Sequence, residues 1–185
     1  LPSQLNEHWL ATPEMLQRFA VHYQTGEPMP KALVDKVLKA KTFRQGFNTV
    51  EYLACAILDL EAHLSDDDAL DARTFEREAL EKLGMPSEII LRHRLPHFSH
   101  VFSSEGYAAG YYNYIWADVL TADAAEAFHD APNGFYDKAL AKKYYDQVLS
   151  IGNSVDAADA YRSFRGRDHT IDALMRDRGF APPKA

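Results

Sequence analysis

The segment from Phe98 to Trp116 concentrates the side chains best suited to chemistry. His100 precedes a loop, Ser103-Ser104-Glu105-Gly106, that opens into a run carrying Tyr107, Tyr111, Tyr112 and Tyr114. Tyr107, Tyr111 and Tyr114 are spaced i, i+4 and i+7, so a helix through them would set three hydroxyls on one face. Ala108, Ala109 and Gly110 are small and leave room for something to lie against that face. A phenol with a pKa of about 10 stays protonated at neutral pH. It can therefore donate to a carbonyl, or to an oxygen that gains negative charge during a reaction. Three phenols that each need a partner when buried are a costly way to fill a core. On periodicity alone, a Tyr-rich packing helix is an equally good reading.

Other candidates are weaker. His93, His97 and His100 lie close together, and His93 and His97 have the i, i+4 spacing of a helical metal pair. Pro96 between them removes a backbone donor and disfavours helix at Leu95, and no local carboxylate completes a ligand set. No metal site is expected from these residues. Arg94 precedes His100 on the same stretch, and a guanidinium can hold a carboxylate through paired hydrogen bonds. A plain surface arginine is the simpler reading, and Arg92 is a second candidate. Cys55, the single cysteine, sits in the apolar run Leu53-Ala-Cys-Ala-Ile-Leu58 and reads as a small core residue.

Composition narrows the class. The chain has 185 residues, 46% hydrophobic, enough for a packed core. Its net charge of −7 argues against nucleic-acid binding, which needs clustered Lys and Arg. No apolar run approaches the roughly 20 residues that span a bilayer. The compartment stays open, with the cytoplasm favoured over the periplasm.

The pattern predicts an all-α, multi-helix chain. Helices are expected to about Ala11, from Thr12-Pro13 to near Gly26, after Pro30, over Asn48–His63 and Asp71–Leu83, over Tyr107–Ala131, over Phe135–Leu149, from a Ser154 cap to Phe164, and in a short stretch ending at Gly179. Ser65 to Asp68 reads as a turn or cap without the glycine and terminal glutamate of a calcium loop. Residues 97–106 read as a loop or short strand. Residues 1–180 form the domain, and 181–185 a flexible tail.

The run Gly106 to Trp116 resembles the substrate-binding segment of the thimet-oligopeptidase family of zinc metallopeptidases, nearest to its peptidyl-dipeptidase (dipeptidyl carboxypeptidase) branch. Leu1-Pro-Ser-Gln4 with Glu7 and Trp9 resembles the family's Pro-Ser-Gln…Glu…Trp helix. Ser150-Ile-Gly-Asn-Ser154 with Asp156, Phe164-Arg-Gly-Arg-Asp168 and Met175-Arg-Asp-Arg-Gly179 resemble its C-terminal ending. The matches occur in family order along essentially the whole chain.

The resemblance implies the C-terminal portion of a zincin-type catalytic domain. The family's H-E-x-x-H helix, with two histidine ligands and a glutamate base, does not occur here, and its third ligand would fall just before Leu1. The intact enzyme is expected to carry zinc and hydrolyse short peptides, releasing C-terminal dipeptides. The chain alone, without the rest of the enzyme as its partner, is expected to be inactive and to bind no metal. By the same resemblance Tyr114 and Tyr107 are catalytic donors to the oxyanion or substrate. His100, Tyr111, Gly106 and, for a terminal carboxylate, Arg94 bind substrate, while Tyr112 packs. Many relatives have several glycines before the first tyrosine; this chain has only Gly106, and one residue more between His100 and Tyr107. Two alternatives remain: an endo-acting oligopeptidase, and a catalytically silent helical interaction module.

Overall fold

Ten α-helices organise the described residues, 1–66 and 69–182, of the computed structural model. In chain order they are α1 (Pro2–Leu10), α2 (Pro13–Phe19), α3 (Lys31–Ala40), α4 (Gln45–His63), α5 (Ala72–Lys82), α6 (Ser99–Phe102), α7 (Asn113–Asp130), α8 (Lys138–Tyr144), α9 (Ala157–Arg165) and α10 (Asp172–Asp177). Short 3-10 turns occupy Leu95–His97, Glu105–Tyr107 and Gly134–Tyr136, and a π-turn follows α8 over Tyr145–Leu149. One isolated bridge, Val21 to Pro28, is the sole β pairing among the described residues. The all-α expectation holds. Asp67, Asp68 and residues 183–185 fall outside the described residues, and with them part of the expected turn and most of the expected tail.

The chain divides into two compact units, 1–43 with 116–185, and 44–115. In the first, Leu5, Phe128, Phe135, Tyr144, Tyr161 and Phe164 build an aromatic core. The Phe128 and Phe135 rings stack at 5.4 Å, and the Trp9 indole donates to the Phe135 carbonyl at 2.8 Å. Beside this core Asp123 is wholly buried and accepts from Tyr161 Oη, from Arg165 Nε at 2.9 Å and from Arg167. A buried carboxylate is tolerable only when so paired. Arg165 and Arg167 flank Gly166, whose φ of 78° ends α9 and turns the chain so that both guanidinia face one acceptor.

In the second unit α4 and α5 enclose Ala54, Cys55, Leu58 and Ala79, joined by Leu91, Leu95, Phe98 and Val101. Cys55 is a core residue, and burial pushes its thiol pKa up. Asp71 caps α5 by accepting from Thr74 N–H at 2.8 Å. Glu76 is buried; Arg94 Nε donates to it at 2.8 Å and Leu95 N–H at 3.2 Å. That carboxylate starts the 3-10 turn over Leu95–His97, so residues 97–106 hold short helical turns instead of a strand.

Several boundaries differ from expectation. The second helix stops at Phe19, not near Gly26, because Val21 pairs with Pro28. The α9 cap is Asp156, accepting from Ala158 and Asp159 N–H, and not Ser154, whose hydroxyl turns back to the Ile151 carbonyl. The largest difference lies in the tyrosine segment, where helix begins at Asn113 and not at Tyr107.

Candidate functional site

Sequence spacing placed Tyr107, Tyr111 and Tyr114 on one helical face; they are in fact brought together by a turn. Tyr107 closes the 3-10 turn, Tyr111 lies in the bend before α7, and Tyr114 alone is helical. Ala109 has φ of 53°, a left-handed conformation rare outside glycine. Gly110 follows, its N–H bonded to the Tyr107 carbonyl at 3.0 Å; a Cβ at Gly110 would sit 3.0 Å from that same oxygen. The small residues therefore let the backbone fold on itself. Gly106 carries no positive φ, and a Cβ there would meet only Ser104 Oγ, at 3.7 Å.

His100 is the hub of the cluster. Its ring centroid lies 4.8 Å from Tyr107, 6.0 Å from Tyr111 and 5.9 Å from Tyr114. Tyr114 Oη and His100 Nε2 are 3.2 Å apart. With Nε2 unprotonated the phenol donates to the ring; with Nε2–H the ring donates, and the phenol proton is free for a third group. Tyr107 is 59% exposed and Tyr114 47%, so neither is a core side chain. Tyr111 is half-buried against Phe98 at 4.8 Å, and burial pushes its hydroxyl pKa above the usual tyrosine value, keeping it a donor. Tyr112, expected to pack, is 43% exposed. Arg94 is engaged with Glu76, and Arg92 Nη1 lies 3.8 Å from Glu51. His93 stacks on Phe98 at 4.9 Å.

Three residues that sequence reading passed over hold the turn. Asp59, buried completely on α4, accepts from Ala109 N–H at 3.1 Å and from Tyr111 N–H at 2.9 Å, through different carboxylate oxygens. His63 Nδ1 lies 2.9 Å from the Asp59 carboxylate and 2.8 Å from the Asp59 carbonyl. Both oxygens only accept, so Nδ1 carries the proton, and the Ala109 amide belongs to Asp59 and not to His63. Tyr52 Oη donates to the Tyr111 carbonyl and accepts from Ile115 N–H at 3.2 Å. Tyr52, Asp59 and His63 are spaced i, i+7, i+11, within about 40° of arc on the helix. That these three polar groups share one narrow face of α4 was the available signal.

Chemically, the cluster offers neutral hydrogen-bond donors on a shelf of aromatic rings. It suits a polar backbone lying along the shelf, or an oxygen acquiring charge. Among the described residues no group of three His, Cys, Asp or Glu could hold a metal ion. No helix there is long and apolar enough to cross a membrane.

The profile of Peptidase family M3 matches residues 1–180. The chain is 38% identical to oligopeptidase A of Escherichia coli over 97% of its length, and 35% identical to dipeptidyl carboxypeptidase of Salmonella typhimurium over 96%. Saccharolysin of Saccharomyces cerevisiae is 28% identical over 96%. The chain spans about a quarter of the length of these relatives: 26%, 26% and 25%.

Proposed function

Because the chain belongs to peptidase family M3, we propose that it forms one wall of the peptide-binding cleft of a zinc-dependent peptidase, and that the intact protein hydrolyses short peptides. The observation that carries this reading is the gathering of His100 with three tyrosines, two of them well exposed, around a strained turn. In this reading Tyr114 donates to the oxygen that becomes negative when the amide carbonyl is attacked, and Tyr107 donates to the same oxygen or to the substrate backbone. His100 and Tyr111 align the peptide, and the Gly106 turn sets Tyr107 at the rim. The sequence contains no H-E-x-x-H; in this reading the zinc ligands and the glutamate base are supplied by the rest of the intact protein, and the 185-residue chain by itself does not hydrolyse peptides.

The finer proposal is release of C-terminal dipeptides, with Arg94 receiving the terminal carboxylate. The Arg94–Glu76 pair, however, is what a structural arginine would make, and it favours a second reading, an endo-acting oligopeptidase that needs no such anchor. Relatives of similar identity carry both names, oligopeptidase A and dipeptidyl carboxypeptidase. Rates on a peptide and its C-terminal amide separate the two. Dipeptide release requires the amide to be the poor substrate; equal rates mean endo-action. Tight zinc binding and peptide hydrolysis by the purified 185-residue chain would overturn the assignment of ligands elsewhere.

A further inference from the structure

The Tyr111 peptide is gripped at both ends from one helix. Asp59 takes its N–H and Tyr52 its carbonyl, while Asp59 also takes the N–H of Ala109 and Tyr52 that of Ile115. Helix through Tyr107–Tyr111, favoured by local spacing, is given up for these bonds. Ala109 is held left-handed, a conformation that persists in a non-glycine residue only where its surroundings over-determine it. The core of this unit does not need the carboxylate: Ala54, Cys55 and Leu58 already supply the apolar face of α4. An apolar residue in place of Asp59 would avoid burying a charge but would strand the amides of Ala109 and Tyr111, so what the carboxylate serves is the turn.

We infer that Asp59, together with Tyr52, is a positioning residue of the peptidase site, fixing the turn that sets Tyr107, Tyr111 and Tyr114 around His100. His63 completes the support: its Nδ1 proton goes to Asp59, and its ring stacks on Phe102 of α6 at 5.0 Å, the helix that carries His100. The inference rests on reading the His100–tyrosine cluster as substrate-facing.

The test uses the intact peptidase and its Asp59→Asn, Tyr52→Phe, Tyr107→Phe and Tyr114→Phe variants, with kcat, KM, Tm and zinc content measured for each. Asp59→Asn turns one acceptor into a donor facing an N–H. Displacing catalytic groups by about an ångström can cost ~10²-fold, so kcat should fall by that order while KM stays within about threefold and zinc is retained. Tyr52→Phe keeps the ring that stacks on Tyr111 at 5.2 Å and loses only the hydroxyl. It should lower kcat about tenfold, and it decides the matter should Asp59→Asn not fold. In the double variant Asp59→Asn/Tyr107→Phe the losses should be clearly less than multiplicative, since Asp59 acts through the tyrosines. Full kcat in both Asp59→Asn and Tyr52→Phe, with Tyr114→Phe impaired, would overturn this inference and leave the proposed function standing. So would multiplicative losses in the double variant. Full kcat in Tyr114→Phe and Tyr107→Phe would remove the proposed function, and this inference with it.

Discussion

The Tyr114 hydroxyl lies 3.2 Å from Nε2 of His100, although the two side chains belong to different helices, α7 and α6. Neither is buried, so the contact is not a by-product of core packing. It is set by a backbone turn whose amides are consumed by Asp59. The cluster is therefore a constructed surface: exposed donors on a frame whose polar groups are satisfied beneath it.

The left-handed residue at the turn makes a prediction about stability. Ala109→Gly should leave Tm nearly unchanged: relief of roughly 1 kcal/mol of left-handed strain is offset by a similar gain in unfolded-chain freedom. Ala109→Val should be destabilising by clearly more than 1 kcal/mol, since β-branched residues tolerate that region poorly. Thermal melts of both variants check this. A Val variant as stable as wild type would mean the turn does not hold φ near 53°.

The tyrosine segment also marks how far the sequence could be read. The all-α class, most helix positions and the core cysteine were legible, because periodicity, caps and a local apolar run record them. The i, i+4, i+7 spacing of the tyrosines predicted the right neighbours through the wrong geometry. Helix propensity competes there with hydrogen bonds to a carboxylate some fifty residues earlier, and no local pattern reveals that competitor. The same holds for Arg94, whose partner Glu76 sits on α5.

Burial alone would raise the Asp123 carboxyl pKa. Hydrogen bonds from Arg165, Tyr161 and Arg167 outweigh it and hold the carboxyl below the usual range. A depressed folded pKa contributes stability that is present above the unfolded value of about 4 and is lost as pH falls through the folded one. Wild type should therefore exceed Asp123→Asn in Tm at pH 7, and the gap should shrink below about pH 4. Melts across that range test it. A gap independent of pH would mean the charge of Asp123 is not what matters.

Arg94→Ala leaves the carboxylate of Glu76, itself 4% exposed, without its cation, so the variant should lose stability. Because the arginine is partly exposed, a loss of about 1–2 kcal/mol is expected, less than for a fully buried pair. If Arg94 also receives the substrate carboxylate, kcat/KM should fall further for free-acid peptides than for their amides, by roughly 1.5–3 kcal/mol of binding. Equal losses on both assign Arg94 to structure alone and favour endo-action.

Whether the tyrosines act on substrate is decided by kcat and KM of the intact enzyme with Tyr114→Phe, alongside His100→Ala. Removing a donor used mainly in the transition state should lower kcat by about 10²–10³ and leave KM little changed. His100→Ala should raise KM while zinc content stays intact. Wild-type kcat in Tyr114→Phe would return the tyrosine cluster to packing and remove its role in catalysis.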